Sequence, residues 1–238
     1  MGWERPLRPP ALAAAAHVWR ADLDGLATDV ALLDDAERAR AARFAFETDR
    51  RRFIAEHGFQ RRLLAAYLDK PAAELAIAPD LYGKPRLARA GIAFNGSESG
   101  GTALVAVART GEIGVDLEAL RPERADLRIA RRYFHPEEVR KLESLPLALQ
   151  PAAFFAVWTR KEALVKAVGL GLRIPLASFV VGALPEEAPG PLRYEADWPG
   201  ARDWRLVPLP LEPGHVGTLA VAGALPDPRL FEWAANDA

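Results

Sequence analysis

The chain has 238 residues, 50% hydrophobic and 26% charged, enough for one large globular domain or two smaller ones with cores of their own. Lys plus Arg number 31 against 32 for Asp plus Glu, a formal net charge of −1, so there is no basic field for a nucleic-acid partner. The absence of cysteine excludes disulfides, thiol catalysis and thiolate metal sites and suits a cytoplasmic location, while no apolar run approaches the roughly 18 residues of a bilayer span, so no membrane association is expected.

Residues 1–10 carry three prolines and are expected to lie over the surface. The alanine run at 11–16 is too short for a secretory core. A first strand is predicted at 17–23. Alanine, leucine and arginine dominate 34–46 and 49–68, which read as two helices. Residues 75–78 read as a short strand and 79–89 as a loop, because Pro79-Asp80 and Gly83-Lys84-Pro85 break any period. A strand at 92–94 leads into a turn-rich segment at 95–101. The apolar stretch 102–108 is a strand, and Thr110-Gly111 turns the chain into 111–118, GEIGVDLE, predicting a hairpin that ends at Glu118. Helices are expected at 126–134, at 136–144 with Pro136 in the first turn, and at 151–168. The remainder, 178–233, reads as strands separated by proline loops at 183–191, 208–214 and 224–228. Each half runs helices and then strands. The fold class is α+β, with a boundary near 109–114.

Two stretches carry candidate chemistry. In GEIGVDLE, Ile113, Val115 and Leu117 alternate with Gly114, Asp116 and Glu118. Asp116 and Glu118 then point to one side, roughly 6.6 Å apart along the strand, and repel each other unless a cation lies between them. A solvent-facing acidic strand is the alternative. In 158–172, WTRKEALVKAVGLGL, Glu162 and Lys166 share a helix face. Alone they could be an ordinary surface ion pair. Trp158 is expected to pack. The four histidines, at 17, 57, 135 and 215, show no metal spacing, and neither a G-x-S-x-G nor a P-loop pattern occurs.

Taken in order, Gly114-Val115-Asp116-Leu117-Glu118 and then Trp158 to Lys166 resemble the paired signature of the 4'-phosphopantetheinyl transferase superfamily, G-[IV]-D-x-E followed by W-x-x-K-E-[AS]-x-x-K. Gly83-Lys84-Pro85, Phe94-Asn95 and the glycine-rich tail at 169–171 fit the same order. The chain length matches the larger, pseudo-dimeric class. The resemblance implies two similar α+β halves, 1–112 and 113–238, about a pseudo-twofold axis, with the active site in the cleft between them, in a monomer. It implies transfer of 4'-phosphopantetheine from coenzyme A to a serine of an apo acyl or peptidyl carrier protein, with 3',5'-ADP leaving. Asp116, Glu118 and Glu162 would hold Mg²⁺, or Mn²⁺ in its place, and Lys166 would face the diphosphate. Glu162 is open to two roles, metal ligand or base for the serine proton. Coenzyme A would contact Arg40, Arg52, Lys84, Pro85, Asn95, Ser97, Glu98, Lys161 and Lys166, with Arg52 the first candidate for the 3'-phosphate because its fork pairs with two phosphate oxygens. Arg128, Arg131, Arg132, Arg140 and Lys141 would offer an acidic carrier protein a docking surface. Glu138 aligns with a recurring family glutamate, and an ordinary place on the helix surface is equally open to it.

One position departs from the pattern. The family reads F-N-[LIV]-S-H-S where this chain has Phe94-Asn95-Gly96-Ser97-Glu98-Ser99. A carboxylate in place of the family's phosphate-contacting histidine would repel a phosphate. The expected consequence is weak discrimination between coenzyme A and its 3'-dephospho form, or pairing of Glu98 with Arg86, Arg89 or Arg109. The runner-up function is a catalytically silent coenzyme-A- or carrier-protein-binding module.

Overall fold

The apolar periodicities become two helix-on-sheet units in the computed structural model, which describes residues 2–87, 91–109, 111–184, 193–195, 203–223 and 225–234. In chain order the elements are β1 (His17–Asp22), α1 (Asp35–Ala41), α2 (Glu47–Leu68), β2 (Ile77–Pro79), β3 (Pro85–Leu87), β4 (Ala93–Ser99), β5 (Thr102–Ala108), β6 (Ile113–Ala119), α3 (Leu127–Tyr133), α4 (Pro136–Ser144), α5 (Gln150–Val168), β7 (Phe179–Val180), β8 (Arg193–Tyr194), β9 (Trp204–Pro208), β10 (His215–Ala222) and β11 (Arg229–Glu232). One unit comprises residues 1–78, 85–110 and 226–238, the other 79–84 and 111–225. The units are not contiguous halves of the chain, because two segments cross over. Residues 226–238 belong with the first unit because β11 pairs in parallel with β1, Trp19 opposite Phe231. Residues 79–84 belong with the second.

The first unit is a sheet of order β11-β1-β5-β4 covered by α2. Ala55, Phe59 and Leu63 recur every four residues along α2, which puts them on one stripe. That stripe packs on Trp19, Phe94, Val105, Val107 and Phe231. Asp34 and Glu37 form a capping box that starts α1. Arg61, 3% exposed, donates to both of these carboxylates and to the Leu75 carbonyl, tying α2 to α1 and to the following loop. The segment 95–99, expected as a turn, is strand. Its backbone pairs with β5 from Asn95 opposite Ala106 to Ser99 opposite Thr102, and the turn is confined to Gly100-Gly101, both at positive φ. The expected loop 79–89 likewise contains β3; Arg89 lies outside the described residues.

The second unit is an antiparallel sheet of order β6-β10-β9 with α5 across it. The expected hairpin between 102–108 and 111–118 does not form. β5 belongs to the first sheet, and β6 takes β10 as its partner, with Asp116 opposite Thr218. Alternation in a sequence sets which residues face together; it does not choose the neighbouring strand. The core gathers Phe134, Phe154, Phe155, Leu164, Ile174, Phe179 and Leu206. α5 ends at Gly169, whose φ of 80° is the left-handed cap favouring glycine.

Candidate functional site

The site in the second unit is set by one close crossing. On β6, Ile113, Val115 and Leu117 are buried on one face while Gly114, Asp116 and Glu118 share the other. α5 lies against the Gly114 face. A β-carbon built on Gly114 would stand 2.1 Å from the Ala163 carbonyl oxygen and 2.4 Å from the Ala167 nitrogen, so only glycine admits the helix backbone this close. The next residues on that face reach side chains of α5. Lys166 Nζ donates to Asp116 Oδ1 at 2.6 Å and to the Val115 carbonyl at 3.3 Å. Asp116 is 5% exposed. Glu162 is half-buried, and burial first, then the charges of Asp116 and Glu118, push its carboxyl above the usual range, with Lys166 pulling the other way. Glu162 therefore feels the charge of both other carboxylates. Among the described residues, no group of three or more His, Cys, Asp or Glu side chains is placed to hold a metal ion. Three carboxylates are nonetheless the donor chemistry that a hard divalent cation takes, and their mutual repulsion is what such a cation relieves.

Two lysines expected at the nucleotide are elsewhere. Lys161 is fully buried, and its Nζ donates to the carbonyls of Leu176 at 2.7 Å and Phe179 at 2.6 Å and pairs with Glu138 Oε1 at 2.9 Å. All three ammonium protons are thus directed inward, which removes it from phosphate binding. Burial lowers Lys161 to about 8 against the opposing charge of Glu138. Glu138, 2% exposed, also accepts from the backbone of His135 and Val181, so it is an interior group and not a surface one. Lys84, 7% exposed, donates to the carbonyls of Ile113 and Ala167, both at 2.9 Å. Its ammonium is thus directed to backbone carbonyls, while Pro85 is exposed at the start of β3. Trp158 packs as expected, stacked on Phe154 at 6.1 Å.

In the first unit, Arg52 makes a bidentate pair with Asp24, Nε at 2.8 Å and Nη2 at 2.6 Å. The charge of Glu98 adds to that of Asp24 in holding the Arg52 guanidinium protonated. Glu98 is exposed on β4, and Arg109 donates to the Leu12 carbonyl. Asn95 and Ser97, 8% exposed each, lie on the alternate face of β4 from Glu98. Arg40 is exposed, its guanidinium 5.0 Å over the Phe53 ring. Of the basic residues on α3 and α4, Arg128 pairs with Asp126 and Arg131 with Glu143, while Arg132 lies over the Tyr133 ring. Sequence reasoning missed the closeness of the β6–α5 crossing. The signal was present, since a glycine inside a strand pattern marks a close backbone approach.

Residues 17–110 match the family described as 4'-phosphopantetheinyl transferase, N-terminal, and residues 112–212 match the 4'-phosphopantetheinyl transferase superfamily. The chain is 36% identical to the 4'-phosphopantetheinyl transferase HetI of Nostoc sp. over 225 residues, covering 91% of this chain and 92% of that one. It is 34% identical to the 4'-phosphopantetheinyl transferase psf-1 of Bacillus pumilus over 66% of each chain. The chain with the Asp116–Lys166 crossing belongs to the 4'-phosphopantetheinyl transferase superfamily.

Proposed function

We propose that this transferase moves 4'-phosphopantetheine from coenzyme A to a serine of an apo acyl or peptidyl carrier protein in a Mg²⁺-dependent reaction, as a cytoplasmic monomer. The observation that carries this reading is the crossing of β6 and α5, which sets Asp116, Glu162 and Lys166 in one electrostatic neighbourhood. The serine oxygen bonds to the β-phosphorus of coenzyme A, the bond from that phosphorus to the bridging oxygen breaks, and 3',5'-ADP departs. Asp116, Glu118 and Glu162 would hold Mg²⁺, or Mn²⁺ in its place, on the diphosphate, and that ion when bound supplies charge neutralisation at the attacked phosphorus. Lys166 keeps 29% of its side chain exposed and is the α5 cation available to a diphosphate oxygen. The competing role for Glu162, whose carboxyl burial and neighbouring carboxylates hold above its usual range, is to accept the serine proton in place of binding the ion.

Arg52 and Arg40 remain the candidates for the 3'-phosphate, with Asn95, Ser97 and Glu98 on the adjoining strand. Asp24 and Glu98 already offset the Arg52 charge, which supports weak discrimination against 3'-dephospho-coenzyme A. The test is to mix the protein with coenzyme A, Mg²⁺ and a panel of apo carrier proteins and read the phosphopantetheine mass gain. Wild type should modify at least one carrier, and Asp116→Asn and Glu162→Gln should each slow transfer about 100-fold or more. No transfer to any carrier would favour a silent binding module.

A further inference from the structure

The family resemblance implies a coenzyme A contact for Lys84, yet its ammonium is buried and aimed at two backbone carbonyls of the site's own scaffold. Ile113 begins β6, three residues before Asp116. Ala167 lies in the last turn of α5, next to Lys166 and five residues beyond Glu162. The carbonyls of a last helical turn have no partner within the helix. Lys84 Nζ reaches the Ala167 carbonyl and the Ile113 carbonyl at once, both at 2.9 Å, and a cation at a helix C-terminus is favourable in its own right. The latch spans the point where Gly114 lets the helix backbone touch the strand.

The segment that delivers Lys84 is built for it. Asp80 Oδ1 accepts from the backbone of Tyr82 at 2.9 Å and of Lys84 at 3.0 Å, and Asp80 N donates back to the Lys84 carbonyl at 2.9 Å. Gly83 takes the positive φ of 90° that closes this turn. Arg173 lies 5.0 Å over the Tyr82 ring. Residues 79–84 thus group with the second unit although the chain on either side groups with the first.

We infer that Lys84 is a positioning residue for the transfer reaction: it locks the β6–α5 crossing and so fixes the spacing of Asp116, Glu162 and Lys166. The inference rests on the proposed function, which assigns those three their roles. The test compares full-length wild type, Lys84→Met and Lys84→Arg. Lys84→Met should lower kcat about 10-fold or more while KM and the calorimetric Kd for coenzyme A stay within about 2-fold. Amide hydrogen exchange at 113–116 and 165–169 should quicken about 5-fold or more, and Lys84→Arg, which keeps charge and donors, should recover at least about half of the loss in both readouts. Should Lys84→Met fail to fold, Lys84→Gln, which keeps a donor amide, carries the same comparison. A 10-fold rise in KM and Kd with kcat preserved would mark Lys84 as a nucleotide ligand and overturn the inference, as would unchanged kcat and exchange. If wild type transfers nothing to any carrier protein, the proposed function falls, while exchange and coenzyme A affinity still decide whether Lys84 is the latch.

Discussion

Gly114 carries more consequence than its size suggests. A methyl group there meets the Ala163 carbonyl at 2.1 Å and the Ala167 nitrogen at 2.4 Å, and both are helix backbone that cannot swing aside. Gly114→Ala should therefore cost on the order of 3 kcal/mol or more of stability, seen as a lowered urea midpoint, and should move Asp116 away from Lys166. A variant with wild-type stability would mean that the helix can lift off the strand without penalty. The lysines were the residues the sequence described least well. A lysine in a motif reads as charge offered to a phosphate, because nothing in the local pattern reveals a carbonyl contributed from far along the chain. Lys84 finds Ala167 across 83 positions and Lys161 finds Phe179 across 18. Strand alternation puts Asp116 and Glu118 on one side of β6 and helix spacing puts Glu162 on one face with Lys166, but only the family resemblance implied that the three belong to one site.

The buried pair between α4 and α5 shows how elements are fastened together. Lys161 and Glu138 are 0% and 2% exposed, and each makes further bonds to backbone groups. Removing one partner leaves the other buried without its counter-charge, which typically costs about 3–5 kcal/mol, so Lys161→Met and Glu138→Gln should each be strongly destabilising. The double variant should cost less than the two singles combined, and urea unfolding of all four proteins measures the coupling. Strict additivity would show that the pair contributes through its backbone bonds alone. The long helices and the strands at 102–108 and 113–118 could be placed from periodicity. Strand partnership could not be read in the same way. β6 pairs with β10 about a hundred residues later, a choice made by the core that α5 buries and not by the turn that the sequence predicts after 102–108.

At the scale of the molecule, the crossover of the last strand into the first unit makes stability sensitive to acid. His17 is buried at 1% exposure between Tyr67 and Phe231. Trp19 Nε1 donates to the Tyr67 oxygen at 2.8 Å, and the same oxygen lies 2.7 Å from His17 Nδ1. Burial, with the nearby charge of Arg229, lowers His17 to about 4 from an ordinary value of 6.5. The unfolded chain therefore takes up this proton first. Its contribution to stability is complete above about pH 6.5 and is lost progressively as pH falls toward 4. Thermal unfolding across that window should show a steeper decline in wild type than in His17→Gln. Equal slopes would place the acid sensitivity elsewhere.

The central claim is that Asp116, Glu118 and Glu162 serve one divalent cation, and Mn²⁺ binding followed by electron paramagnetic resonance tests it most directly. With coenzyme A present, wild type should take up one Mn²⁺, and Asp116→Asn and Glu162→Gln should each weaken that binding about 10-fold or more. Equal Mn²⁺ affinity in all three proteins would contradict the account.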